Sequence, residues 1–187
     1  DTKATNAVNQ AKSDINATIN ALSVGGRNYI LNSSGMNASS TNRPALRVNG
    51  IGSANANSTI AYNSDSITLT YNGNGTQEWY YALAEAWTNF SDTNIDKTKQ
   101  YTISVDVKGT APAVLFRSNG FISNAFPINN TNWTRIAYTF NFTDSSGKLW
   151  LRLNPTSTNG ILGPFTSGQT VSFKNFKLET GNKATDW

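Results

Sequence analysis

Tyr101-Thr102-Ile103-Ser104-Val105-Asp106-Val107-Lys108 alternates apolar and polar residues without a break. A helix would spread that pattern around its whole circumference. A strand sorts it onto two faces, with Tyr, Ile and Val on one and Thr, Ser, Asp and Lys on the other. The same period recurs along the chain. Ser66-Ile67-Thr68-Leu69-Thr70-Tyr71 alternates, Trp133 to Phe142 puts Ile136, Tyr138, Phe140 and Phe142 on one face, and Lys148-Leu149-Trp150-Leu151-Arg152-Leu153 puts three Leu on one side. Shorter strands are predicted at Asn28-Tyr29-Ile30-Leu31, from Glu78 to Trp87, from Ala113 to Arg117 and from Val171 to Leu178. In the last of these the parity breaks at Lys174-Asn175, which predicts a β-bulge. Asn72-Gly73-Asn74-Gly75 is a tight-turn signal and predicts a hairpin joining Ser66–Tyr71 to the strand after Glu78. About nine short strands separated by turn signals specify an all-β antiparallel sandwich, with a jelly roll as the best single expectation.

The first 25 residues follow another rule. Ala4, Val8, Ala11, Ile15, Thr18 and Leu22 repeat at intervals of four and three, the spacing of a heptad seam. No Gly or Pro interrupts before Gly25-Gly26, which reads as the helix stop. Two readings stand. The helix is the end of a longer coiled coil, or it is one amphipathic helix packed on its own domain. The abrupt start at Asp1, without a capping signal, favours the coiled coil. The expected organisation is a helical stalk over 1–25 and a β-sandwich over 26–187.

Composition narrows the chemistry. The chain has no His and no Cys, so His-based triads, thiolate nucleophiles and the commonest transition-metal ligand are missing. Charged residues make up only 14% of the chain while aromatic residues reach 11%. Polarity therefore comes from Asn, Thr, Ser and Gly. Such a surface suits a neutral, hydroxyl-rich ligand: amides and hydroxyls pair with hydroxyls, and aromatic faces pack on C–H faces. The net charge of +4 is carried by single, scattered Lys and Arg residues, so no nucleic-acid partner is expected. No apolar run is long enough to span a membrane, and no membrane partner is expected.

The chain opens its sandwich with Gly26-Arg27-Asn28-Tyr29-Ile30-Leu31-Asn32-Ser33-Ser34. It closes with Phe176-Lys177-Leu178-Glu179-Thr180-Gly181-Asn182-Lys183-Ala184-Thr185-Asp186-Trp187. Those ends resemble the start and end of jelly-roll carbohydrate-binding modules in phage tail and baseplate (receptor-binding) proteins of Gram-positive bacteria. Tyr101 to Lys108 and Trp133-Thr134-Arg135 share that rhythm. The resemblance spans roughly residues 26–187, with the specific part at the ends. It implies a non-catalytic module at the virion tail, outside the host cell. Its partners would be a host cell-wall polysaccharide and other tail proteins, with the stalk assembling a homo-oligomer, a trimer by expectation. No cofactor is expected; related jelly rolls often carry a structural calcium, and although no Asp-rich loop occurs here, Asn32 and Glu179 at the two module ends would be the candidate ligands.

Sugar binding requires a flat ring for the pyranose and polar groups for its hydroxyls. If Leu149, Leu151 and Leu153 face the core, Trp150 and Arg152 face outward, covered either by a ligand or by a loop or neighbouring chain. Parity puts Ser104, Asp106 and Lys108 on a polar face, and Trp133 and Arg135 opposite the row from Ile136 to Phe142. If these strands share one sheet with Lys148–Leu153, Asp106 would orient Arg152 beside Trp150. A second aromatic group is Trp79, Tyr81 and Trp87, for which core packing is the competing reading. Arg117 precedes a long loop over 118–132 and joins the ligand-binding candidates. Two other functions remain open. One is a structural spacer of the tail. The other is a glycan hydrolase, which would need two facing carboxylates such as Glu85 and Asp106.

Overall fold

The computed structural model describes residues 2–22, 25–29, 58–72, 81–82, 96–117, 123–128, 130–141, 152–156 and 166–186. Within them lie the helix α1 (Thr2–Ala21) and the strands β1 (Ser58–Tyr62), β2 (Ile67–Tyr71), β3 (Tyr81–Ala82), β4 (Gln100–Gly109), β5 (Ala113–Arg117), β6 (Phe126–Pro127), β7 (Asn130–Asn141), β8 (Arg152–Thr156) and β9 (Thr170–Thr180). Two sheets result, one ordered β1-β2-β9-β4-β7 and the other β3-β8-β5-β6. All the pairings are antiparallel. Except from β1 to β2 and from β5 to β6, successive described strands pass from one sheet to the other, the winding of a jelly-roll sandwich.

One core joins the layers. Tyr101, Ile103, Val105 and Val107 of β4 are buried, as their alternation predicts, and meet Ile67, Leu69 and Tyr71 of β2, Ile136 and Phe140 of β7, and Val114 and Phe116 of β5. Burying side chains of this size is worth about 1.5–3 kcal/mol each, which makes this shared layer the main source of stability.

The bulge forms where the parity breaks. Along the β4–β9 pair Ser104 stands opposite Lys177 and Asp106 opposite Lys174, so Asn175 and Phe176 together face Val105. The extra residue lets Phe173 and Phe176 both point inward, edge to face with ring centroids 5.2 Å apart. Asn175 supplies the required left-handed conformation at φ 55°, which Asn tolerates better than most side chains.

Two expectations need correction, and a third falls partly outside the described residues. The hairpin between Ser66–Tyr71 and the strand after Glu78 does not form, because β2 lies between β1 and β9 while β3 pairs with β8 in the other sheet. An Asn-Gly signal reverses the chain locally; the choice of neighbouring strand is made by long-range packing. Of the strand expected at Asn28-Tyr29-Ile30-Leu31, Ile30 and Leu31 lie outside the described residues, and Asn28-Tyr29 forms no strand of its own. It lies along the part of β9 beyond the reach of β2. There the Asn28 amide donates to Phe176 O and accepts from Leu178 N, while Tyr29 N donates to Leu178 O at 2.7 Å. The helix ends at Ala21, before Gly25-Gly26. Gly25 instead marks a close approach: a Cβ there would fall 2.1 Å from Thr180 O.

The reading of α1 as a helix packed on its own domain also fails. Val8, Ile15, Ile19 and Leu22 are between 46% and 58% exposed. The helix is tied to the sandwich at its C-terminal end, where Asn182 Nδ2 donates to Ala21 O. No described helix is long and apolar enough to cross a membrane.

Candidate functional site

The outer face of the five-stranded sheet carries the polar half of β4. Asp106 stands between Arg135 on β7 and Lys174 on β9. Arg135 Nη1 donates to Asp106 Oδ1 at 3.0 Å and to the Asn175 carbonyl at 2.8 Å, and Nη2 donates to Ser104 Oγ at 2.8 Å. Asn175 Nδ2 donates to the second Asp106 oxygen at 2.7 Å. The bulge, the carboxylate and the guanidinium therefore lock one another. Charge-assisted bonds of this kind are the strong ones, and the partly exposed guanidinium is fixed in orientation.

Trp133 lies two residues before Arg135 on the same side of β7. Its partly exposed indole meets two ammonium groups, Lys108 Nζ and Lys174 Nζ, each 4.6 Å from the ring centroid. Lys174 also pairs with Asp65 Oδ2 at 3.0 Å. That contact, followed by a hydrogen bond involving Ser66, holds the exposed Asp65 carboxyl below its ordinary value of 3.8. Thr68 and Ser172 extend the polar surface across β2 and β9, their hydroxyls 2.8 Å apart. Among the described residues, this is where an aromatic face, a fixed guanidinium, ammonium groups and hydroxyls converge.

The other end of the same face is closed. The chain after β9 folds back over it. Glu179 accepts from Thr185 N at 2.8 Å and from Thr185 Oγ1 at 2.7 Å, and Lys177 stands 3.4 Å from Glu179 Oε2. Lys177 also donates to Thr185 Oγ1 and to the Asp186 carbonyl. A calcium ion needs several oxygen ligands and no neighbouring cation. Glu179, with both oxygens engaged and an ammonium beside it, does not fit that role. Asn32 lies outside the described residues.

The other predicted site residues separate. Asp106 and Arg152 do not share a sheet, because β4 is flanked by β7 and β9 while β8 lies between β3 and β5. The arginine that Asp106 orients is Arg135. Arg152 stands opposite Arg117 on one side and Ala82 on the other, and Tyr81 stands opposite Leu153. Trp79, Trp87, Trp150 and Glu85 lie outside the described residues. Alternation along β7 sets Trp133 and Arg135 opposite the row from Ile136 to Phe142 but does not single them out as site residues. Lys174 and Asn175 mark the bulge in the sequence but have no part in the site expected from it. The missing signal was strand adjacency, which period-two alternation does not encode.

The fold defines the class as an antiparallel jelly-roll sandwich with an N-terminal helix whose apolar residues are exposed. No protein family matches the chain, and no curated protein matches it. Solved structures similar to it include the unliganded module BiXyn10A CBM1, at 16% identity and TM-score 0.48, covering 72% of this chain and 89% of that one. Another is the CBM22-1 xylan-binding domain from Paenibacillus barcinonensis Xyn10C, at 16% identity and TM-score 0.42, covering 75% and 88%. A third is the carbohydrate-binding module CBM6cm-2 from Cellvibrio mixtus lichenase 5A in complex with cellotriose, at 15% identity and TM-score 0.37, covering 69% and 89%.

Proposed function

We propose that this chain is a non-catalytic carbohydrate-binding module of a phage tail protein, and that it attaches the virion to a host cell-wall saccharide. The observation that carries the reading is the indole of Trp133 beside the Arg135 guanidinium, which Asp106, Ser104 and Asn175 hold in place. An aromatic face receives the C–H side of a sugar ring, and a pre-oriented donor reads its hydroxyls. Asp106 accepts hydrogen bonds at both oxygens, which suits it to orienting Arg135 rather than to proton transfer. The tail setting rests on the resemblance of the chain's two ends. The stalk reading is supported by Val8, Ile15 and Leu22, which recur every seven residues and are all exposed. A trimer assembled through that seam would present three faces together. It would raise the avidity of a weak single site by orders of magnitude, roughly 10²–10⁴-fold.

The test is a titration of the fluorescently labelled chain on intact Gram-positive cells and on purified cell-wall polysaccharide, beside Trp133→Ala and Trp150→Ala. Saturable binding that is lost in a folded Trp133→Ala is the expected result. Loss in Trp150→Ala alone moves the site away from this face. No binding to any cell or glycan in a broad panel replaces the proposal with a structural spacer in the tail.

A further inference from the structure

We propose that the Trp133 face takes an anionic saccharide, with a phosphate or carboxylate group of the glycan held between Lys108 and Lys174. The inference rests on the saccharide-binding reading and adds the charge of the ligand. Two ammonium groups lie 4.6 Å from one indole centroid, so they stand no more than twice that distance apart on one partly exposed ring. On the same face Arg135 is neutralised by Asp106, and Lys177 by Glu179. Lys174 has Asp65, whose side chain is 63% exposed and which an incoming anion can replace. Among the described residues Lys108 meets no carboxylate and rests on the Trp133 ring. The indole therefore carries uncompensated positive charge.

A neutral sugar can use the ammonium groups only as hydroxyl donors, and while they sit on the ring they compete with its C–H face. For an anionic sugar the two functions cooperate. Cation–π contacts at exposed sites are weak, and lysine is a compact charge on a flexible four-carbon stem. An anion draws both ammonium groups off the ring and bares the indole for the sugar that bears it. Binding and unmasking of the platform are then one event.

The experiment is a calorimetric titration of the full chain with three polymers: a phosphodiester-linked polyol polymer, a polyuronate and a neutral glucan. Each is run at low and high salt, beside Lys108→Gln, Lys174→Gln and Lys12→Gln. Lys12 is an exposed residue of α1 and controls for general charge. The expected result is a preference for an acidic polymer that weakens with salt and falls about tenfold in each of the two face variants, with Lys12→Gln unchanged. The acidic polymer that binds identifies the anion. Equal binding of acidic and neutral glycans, or equal losses in Lys12→Gln, overturns the charge assignment and leaves the saccharide reading standing. Absence of binding to all three, and to cell-wall polysaccharide, overturns both.

Discussion

Lys174 and Lys177 stand three residues apart on β9, and each meets a carboxylate on the outer face of one sheet. Lys177 and Glu179 are sealed, with side chains 6% and 0% exposed. Lys174 and Asp65 are open, at 21% and 63%. The difference comes from the chain that follows β9: Thr185 and Asp186 lie over the first pair, and the second pair is left beside Trp133. A charge pair taken out of water must be fully satisfied, and the Thr185 and Asp186 bonds complete that satisfaction. An exposed pair is worth little to the fold and remains available to a ligand. One face thus holds a structural half and a receptive half, built from the same residue types.

Breaking the sealed pair has the largest expected effect. Lys177→Met leaves Glu179 charged and buried, and should cost about 3–5 kcal/mol in chemical denaturation. Adding Glu179→Gln should recover much of that loss, because no uncompensated charge remains. A loss below about 1 kcal/mol in the single variant would show that the closed end admits water.

A smaller effect is expected from the covering segment itself. Thr185→Val keeps the backbone bond to Glu179 and removes the hydroxyl that bridges Glu179 and Lys177. One buried acceptor and one buried donor each lose a partner while still facing each other, so the cost should be about 1–3 kcal/mol. Hydrogen exchange at the amide of Thr185 should quicken, while exchange in β4 should follow only the global loss. Unchanged exchange at Thr185 would mean that its hydroxyl does not hold the segment down.

The contrast between the two ends explains what could be read from sequence and what could not. Face assignment was legible wherever alternation was strict. Tyr101, Ile103, Val105 and Val107 are inside, Asp106 and Lys108 are outside, and the parity break at Lys174-Asn175 marks the bulge. Those facts follow from local geometry alone. Adjacency did not follow. Nothing in Ser66–Tyr71 states that its neighbour is Thr170–Phe173, 100 residues later, or that Asp106 meets Arg135 and not Arg152. Covering was equally hidden. Thr102 and Ser104 alternate as solvent-facing residues do, yet they are 1% and 0% exposed, because later segments supply their partners. Glu179 suggested a metal ligand for the same reason: a carboxylate near a chain end reads alike whether it meets solvent, an ion or a buried lysine.

The smallest expected effect sharpens the comparison most, because it isolates electrostatics from packing. Asp65 titrates below its ordinary 3.8, chiefly because Lys174 donates to it. A carboxyl whose value is depressed by folding adds to stability above its ordinary value and loses that contribution as pH falls through the folded one. The pair is therefore intact at neutral pH and is lost only as pH falls below the ordinary carboxyl value. In Lys174→Met the Asp65 carboxyl should return toward 3.8 in an NMR titration, while the melting temperature at neutral pH falls only slightly, as for any exposed pair. Lys177→Met should do the reverse, lowering the melting temperature and leaving Asp65 untouched. If Asp65 titrates identically in the wild type and in Lys174→Met, the open pair does not form in solution. Lys174 would then be free to meet an anion without first giving up a partner.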